Sequence, residues 1–402
     1  MSTAPAGEAR LSGHLAGLDG VRGLAVLLVM ALHFVGDSTA YTTGQRLVTK
    51  VATFGLVGVD LFFVLSGFLI TGLLLESKGQ PHYFRNFYAR RTLRIFPLYY
   101  FVLACLFVVL PRLTTPSPLL EVARSHQVWL WTYTSNLYLA ATSSWASLPY
   151  VAHFWSLAIE EHFYLFWPLV VFALARRPRA LIAVSLTLAF GAMLARLTGS
   201  LMGLSWWTTY TLTPFRLDGL ALGGFIAVMA RQPGGLERLT RALPLTAAAI
   251  GGLTAATFVW TRLVSREGLE MILPVRAALI LLLLACLMLW ALIAPERSGT
   301  SRFFRSRAMV FLGTYSYGLY VYHHFISYYL TSNRTDLTLA NWLGSHLAAV
   351  ALQAALGMSA SLAIAYLSYE LFEKRFLRMK RRFETAKAPA PDRRAAAAGA
   401  ER

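Results

Sequence analysis

The sequence predicts an all-α fold: a polytopic membrane helical bundle of about ten transmembrane helices with both termini in the cytoplasm. Three observations lead to this fold class. Hydrophobic residues make up 56% of the 402 residues and charged residues only 14%, with a mean hydropathy of +0.54. Apolar runs of roughly 18 to 25 residues recur along the chain, which is the length that crosses a bilayer. Basic residues concentrate in alternate loops between these runs.

The apolar runs define the predicted spans, whose even number places both termini on one side of the membrane. In chain order they cover residues 20–36, 54–75, 95–111, 154–174, 180–198, 215–230, 243–261, 275–294, 309–331 and 341–369. Residues 112–153 are not counted as a span, because their apolar part, VWLWTYTSNLYLA (128–140), is short and aromatic. Since Trp and Tyr favour the membrane–water interface, we predict an interfacial or re-entrant segment there.

Clusters of Arg and Lys set the predicted orientation. With the N-terminus inside, the inner segments contain RRTLR (90–94), RRPR (176–179), RQPGGLERLTR (231–241), RSGTSRFFRSR (297–307) and EKRFLRMKRR (373–382). The other loops contain scattered single charges, so the positive-inside rule predicts cytoplasmic termini. The same distribution accounts for the net charge of +18 without a nucleic-acid partner.

The composition divides the chain into three predicted segments: an N-terminal cytoplasmic segment (1–17), a transmembrane domain (18–375) and a tail (376–402). The tail is basic and rich in Ala and Pro, which predicts disorder. No small-residue cleavage site follows the first apolar run, which predicts an uncleaved span rather than a signal peptide. Cys105 and Cys286 each lie in an apolar run without paired spacing, so neither a metal site nor a disulfide is predicted.

The first predicted span contains two ionisable residues. LDGVRGLAVLLVMALHF (18–34) carries Arg22 near one end and His33 near the other. Eleven positions return to nearly the same helix face, roughly 16 Å further along the axis. Arg22 can reach lipid phosphates by snorkelling, and His33 can be a polar residue satisfied within the bundle. An ionisable residue inside a span is also a functional candidate.

Arginines begin the third predicted span. In FYARRTLRIFPLYY (87–100), Arg91 and Arg94 share one helix face just before Pro97. Arginine pairs of this kind bind phosphate in a bidentate manner. The alternative is that they belong to a positive-inside cluster that only orients the span.

Further polar residues recur inside predicted spans. GVDLFFVLSGFLIT places Asp60 and Ser66 in an apolar helix, and HFWSLAIEEHFYLFWPL places Glu160 and Glu161 in an aromatic one. His153 is seven positions before Glu160 and therefore shares its face. In a bilayer, such groups need polar partners inside the protein.

Two later stretches add to this pattern. FRLDGLALG (215–223) carries Arg216 and Asp218, which are close enough in sequence to pair with each other. LGTYSYGLYVYHHF (312–325) carries Ser316, Tyr317, Tyr320, His323 and His324. So many polar groups on several spans predict a shared polar cavity inside the bundle.

The order of these stretches resembles the acyltransferase 3 family of integral membrane O-acyltransferases. The resemblance covers nearly the whole chain, about residues 15–375. It rests on six stretches that occur in this order: LDGVRGLAVLLVMALHF, GVDLFFVLSGFLIT, RRTLRIFPLYY, FWSLAIEEHFYLFWP, RLDGLALG and YSYGLYVYHHF. Each stretch alone is a weak signal, whereas all six in this order are specific.

The resemblance implies roles for five residues. Arg22 and His33 match the family's signature of a basic residue, ten residues and a histidine, and His33 is thereby implied as general base. Arg91 and Arg94 match its Arg–two residues–Arg signature and are implied at the phosphates of the donor. Glu160 matches an acidic motif position and is implied to orient a catalytic group or the acceptor. Arg22 is implied to hold a donor phosphate or to shape the histidine's surroundings.

The family also implies an activity. Its members typically have ten spans and transfer an acyl group, often acetyl, from a cytoplasmic acyl-CoA co-substrate to a hydroxyl, with no metal. Acceptors include cell-surface glycans, lipopolysaccharide sugars and macrolide antibiotics. The implied location is the bacterial cytoplasmic membrane. Some members have a further extracytoplasmic hydrolase-like domain; none is found in this sequence, which favours a type other than the fused peptidoglycan-modifying one.

Two other readings stay open on the residues alone. HLAGLD (14–19) has the His–four residues–Asp pattern of another class of lipid acyltransferases, but without companion motifs it is a chance match. A non-enzymatic transporter that relays protons through buried Asp, Glu and His is the second alternative.

Overall fold

The predicted all-α fold is confirmed. The computed structural model describes residues 16–39, 41–263 and 266–383, and these residues contain no strand. In the last range, side chains are described from residue 271 onwards. Most of the predicted N-terminal segment, with the HLAGLD histidine, lies outside the described residues. So do residues 384–402 of the predicted tail.

Ten long helices account for most of the described chain, and each predicted span falls on one of them. They are α1 (Ala16–Ala31), α2 (Val57–Glu76), α3 (Tyr83–Ala104), α4 (Trp155–Leu174), α5 (Pro178–Leu201), α6 (Leu217–Ala230), α7 (Gly235–Trp260), α8 (Arg266–Ile293), α9 (Arg307–Ser332) and α10 (His346–Ser368). A π-helical turn, Leu32–Gly36, continues α1, and another, Tyr369–Glu373, continues α10.

Within the described residues, eight helical stretches are long and apolar enough to cross a bilayer. The two remaining long helices do not meet these criteria of length and apolar character, each for a different reason. α6 is apolar but has only 14 residues, and α9 has 26 residues but is rich in Tyr, His and Ser. The count of ten spans and the orientation of the termini therefore stay predictions.

Two regions lie between or beyond the long helices. Residues 112–153 form short helices, Pro118–Ser125, Val128–Trp131 and Ser135–Thr142, none of which could cross a membrane. After α10 the chain stays helical through Lys374–Met379 and Lys380–Phe383. Helical structure thus extends eight residues past the predicted start of the tail.

Glycines bring the central helices into close contact. A Cβ at Gly67 of α2 would overlap the carbonyl oxygen of Leu220 on α6, and a Cβ at Gly223 would overlap that of Val64 on α2. Small residues at such crossings let membrane helices approach closely. Gly313 of α9 similarly faces the backbone of α1. This contact brings the polar residues of α9 next to those of α1.

Candidate active site

His33 lies in the π-turn that ends α1 and forms a pair with Asp37. Its Nδ1 is 3.0 Å from Oδ2 of Asp37. Because a carboxylate can only accept a hydrogen bond, this contact places a proton on Nδ1 and leaves the lone pair on Nε2. The His33 side chain is 20% exposed and that of Asp37 48% exposed. π-Turns are frequent at functional sites, and this one carries His33 at the end of α1.

Three further histidines surround His33. The ring centroids of His324 and His323 are 4.8 Å and 5.2 Å from that of His33, and His153 stacks on His324 at 4.6 Å. Each of these three histidines donates a hydrogen bond to a backbone carbonyl. Nδ1 of His324, for example, donates to the carbonyl of Tyr150 at 2.9 Å. These bonds fix the tautomers of the three imidazoles.

Three of these four histidines, His33, His153 and His324, line a cavity of about 320 Å³, which we call the histidine cavity. His33, Asp37, His153 and His324 contribute its polar lining. Its aromatic walls are Trp145, Trp155, Tyr210, Tyr320 and Tyr328. The cavity therefore combines a basic nitrogen with apolar surfaces against which a ring-shaped substrate can pack.

The arginines line a second cavity of about 110 Å³, which we call the arginine cavity. Arg91 and Arg94 both face it, as their spacing predicts, together with Arg22 and Glu160. Arg22 forms an ion pair with Asp19 at 2.7 Å. No described residue accepts a hydrogen bond from Arg91 or Arg94, so their N–H groups are available to a ligand.

Glu160 lies among the arginines and not beside His33. Its Oε2 accepts a hydrogen bond from the hydroxyl of Tyr164 at 2.8 Å. The guanidinium of Arg91 packs over the Tyr164 ring, 5.3 Å from its centroid, and Ser66 hydrogen-bonds to the same hydroxyl. His153 and Glu160, which the sequence predicts on one helix face, therefore line different cavities: His153 lines the histidine cavity and Glu160 the arginine cavity.

The structure has two neighbouring cavities rather than the single shared cavity that the sequence predicts. Val59 and Tyr320 line both of them. The Tyr320 hydroxyl donates to the carbonyl of His153 at 2.8 Å and accepts from Ser156 at 2.5 Å. These bonds hold Tyr320 at the junction, between the arginines and His33.

Arg216 and Asp218, which are close enough in sequence to pair, do not pair with each other. Arg216 pairs with Asp60 of α2, and Asp218 pairs with Arg196 of α5 at 2.5 Å. Arg216 directly precedes α6 and Asp218 lies in its first turn, so the two side chains leave in different directions and each reaches a different neighbouring helix. Both residues are almost fully buried, and the two ion pairs together neutralise four charges in the bundle.

Sequence reasoning missed Asp37 as a partner of His33. The signal was present, because residues four positions apart meet on a helix surface. Asp37 lies just past the end of the predicted first span and follows a π-turn, Leu32–Gly36, whose position the sequence pattern does not reveal. Among the described residues, no group of three or more His, Cys, Asp or Glu side chains could hold a metal ion.

Comparison with known proteins identifies the family of this sequence. The model of the acyltransferase 3 family, described as an acyltransferase domain, matches residues 15–370. The chain belongs to the acyltransferase 3 family. It is therefore a multi-pass cell-membrane protein with an acyltransferase domain, as its sequence motifs predict.

Curated relatives give the family context. The peptidoglycan O-acetyltransferase OatA of Listeria monocytogenes is 28% identical over 371 residues, which cover 89% of this chain and 54% of that protein. A putative peptidoglycan O-acetyltransferase of Bacillus subtilis is 36% identical over 186 residues, 44% of this chain and 27% of its own length. An O-acetyltransferase of Staphylococcus aureus is 32% identical over 177 residues, 42% and 27% respectively.

The chain spans about half the length of the first of these relatives and a smaller share of the others. No solved structure matches it significantly.

Proposed function

We propose that this protein transfers an acyl group, acetyl or another short acyl, from a cytoplasmic acyl-CoA to a hydroxyl of a cell-surface glycan. One observation carries the proposal. The His33–Asp37 pair lines a cavity that shares Val59 and Tyr320 with the arginine cavity. A base for an acceptor hydroxyl and a cationic site for a phosphorylated donor are thus neighbours.

His33 acts as general base in this proposal. Its Nε2 removes the proton from the acceptor hydroxyl while the oxygen attacks the thioester carbonyl. The tetrahedral intermediate collapses, the C–S bond breaks, and the thiolate leaves with the proton that the imidazolium returns. The Asp37 carboxylate orients the imidazole and stabilises the imidazolium, as the third member of a catalytic triad does.

The arginine cavity suits the phosphorylated end of the donor. Arg22, Arg91 and Arg94 present cationic donors there, and guanidinium groups bind phosphate in a bidentate manner. Arg22 and His33 are roughly 16 Å apart along their helix, a distance that a flexible pantetheine arm can span. The thioester would then reach the junction at Tyr320 while the nucleotide stays with the arginines.

Glu160 has a positioning role in this proposal. It lies with the arginines and is linked through Tyr164 to Arg91. Its carboxylate reduces the repulsion between neighbouring guanidinium groups, which keeps them close enough to bind one ligand. Contact with the acceptor in the histidine cavity is not needed for this role.

The activities for which the relatives are named favour a glycan acceptor. They are named as O-acetyltransferases, two of them acting on peptidoglycan. The aromatic walls of the histidine cavity can pack against the apolar face of a sugar ring. O-acylation of a macrolide-type natural product would use the same chemistry with a different occupant of this cavity.

Reconstituted protein tests the proposal directly. Acetyl-CoA and a glycan oligosaccharide are supplied to the purified protein in lipid nanodiscs, and free thiol and acetylated glycan are both measured. We expect thiol release that depends on the acceptor and matches the ester formed. Acceptor-dependent proton flux across vesicle membranes, without ester formation, would instead support the alternative of a non-enzymatic, proton-relaying transporter.

A further inference from the structure

The segment after α10 folds back along α3, the helix that carries the arginines. Phe372 of the π-turn contacts Phe101 of α3 with ring centroids 4.8 Å apart. Phe376, one turn later, packs on Phe372 at 5.1 Å. The final turn, Lys380–Phe383, also packs against α3. This segment extends beyond residue 370, where the match to the family ends.

The register of this contact brings Lys380 to the arginines. Lys380 lies eight residues after Phe372, or about 12 Å along a helix. The same distance from Phe101 towards the start of α3 reaches the turn that holds Arg91 and Arg94. The half-buried ammonium accordingly interacts electrostatically with both of these guanidinium groups.

No described carboxylate forms an ion pair with these three cations; Glu160 and Glu373 attract Arg91 and Arg94 electrostatically without direct contact. Neither Arg91, Arg94 nor Lys380 forms an ion pair or donates a hydrogen bond to a described residue. Like charges held together in a site of low dielectric repel each other. A ligand with several negative charges would remove this repulsion, and a single phosphate would do so less completely.

We propose that the final turn, Lys380–Phe383, is part of the donor site and that Lys380 binds a phosphate of the donor's nucleotide. This inference rests on the proposed function, because it assumes an acyl-CoA donor. Arg91 and Arg94 contact the same polyanion from α3, so the ligand bridges α3 and the C-terminal segment. Phosphates of anionic lipid headgroups are the other source of the same chemistry.

Two acetyl donors separate the phosphate contact from other effects. Acetyl-CoA carries the phosphates, whereas acetyl-pantetheine has the same thioester arm and lacks them. For Lys380→Gln we expect a rise of about tenfold in KM for acetyl-CoA, the loss of one charge-assisted contact, with kcat nearly unchanged. Its KM for acetyl-pantetheine should equal that of the wild type.

Lys374→Gln is the matched control. Lys374 lies in the same segment but pairs with Glu370 at 2.7 Å, so its loss should leave both KM values unchanged. Assays in nanodiscs with and without anionic lipid test the second source of phosphate. An effect of Lys380→Gln that appears only with anionic lipid, and equally with both donors, would overturn the assignment to the donor.

The outcomes also separate this inference from the proposed function. Wild-type protein that transfers acetyl from neither donor would contradict the proposed function and this inference with it. Wild-type activity together with an unchanged KM for acetyl-CoA in Lys380→Gln would contradict this inference alone.

Discussion

At the scale of single residues, the clearest prediction concerns Asp37. Replacing it with Asn keeps the size of the side chain but removes the charge that stabilises the His33 imidazolium. Because Asp37 is 48% exposed, we expect kcat to fall by about 10- to 100-fold, less than for a fully buried triad carboxylate. KM for the donor should not change, since the arginine cavity is untouched.

Kinetics of Asp37→Asn and Asp37→Glu check this role. The Glu variant restores the charge and should recover part of kcat. Equal losses in both variants, or a rise in donor KM without a fall in kcat, would show that Asp37 does not act through His33.

Arg94 is predicted to bind the donor. Arg94→Ala should weaken binding of an acyl-CoA analogue by about 1.5–3 kcal/mol, the value of one charge-assisted hydrogen bond. Arg94→Lys should recover only part of this, because lysine keeps the charge and loses the planar fork. Calorimetric titration of the acyl-CoA analogue into the purified variants measures this affinity. If the affinity is unchanged, Arg94 only orients the span.

Helical periodicity explains which site residues could be predicted. It correctly placed Arg91 and Arg94 on one face, because that relation lies within one helix. It could not show that Arg216 would choose Asp60 over Asp218, because this choice depends on how α2, α5 and α6 pack together.

At the scale of helices, the crossing of α2 and α6 depends on glycine. A Cβ at Gly223 would overlap the backbone of Val64, so Gly223→Ala must push the helices apart. We expect it to lower the unfolding free energy by about 1–3 kcal/mol, the usual cost of overpacking. It should also lower activity, since Asp60 of α2 pairs with Arg216, which directly precedes α6.

Gly251→Ala in α7 is the matched control, because no atom lies within 4 Å of a Cβ there. Alanine is the better helix former by about 1 kcal/mol, so this variant should be as stable as the wild type or more so. Thermal unfolding in detergent compares the two. Equal stability of Gly223→Ala and Gly251→Ala would argue against close packing of α2 and α6.

The positions of the helices follow from apolar runs, and each predicted span coincides with a long helix. Their ends are harder to predict, because hydropathy does not mark the π-turn at Leu32–Gly36, which packs against other parts of the bundle. Hydropathy also does not show whether a short helix such as α6 spans the bilayer or is buried inside the bundle.

At the scale of the whole molecule, the predicted orientation decides from which side the donor enters. With cytoplasmic termini, Arg85 should face the cytoplasm and Asn333 the outside, and both are exposed. Cysteine at either site, in a chain whose Cys105 and Cys286 are replaced by Ala, reports its side through a membrane-impermeant maleimide on intact cells. We expect labelling at 333 and not at 85. Labelling at 85 from outside would reverse the orientation and place the arginine cavity away from cytoplasmic CoA.

The central claim is that Nε2 of His33 takes the proton of the acceptor hydroxyl. Its most direct test is acetyl transfer by purified His33→Ala, with His126→Ala as a control outside both cavities. We predict a fall of about 10²- to 10⁴-fold in His33→Ala, the contribution of a general base. CoA affinity and thermal stability should stay at the values of the wild type. Transfer near the wild-type rate in stable His33→Ala would contradict the account.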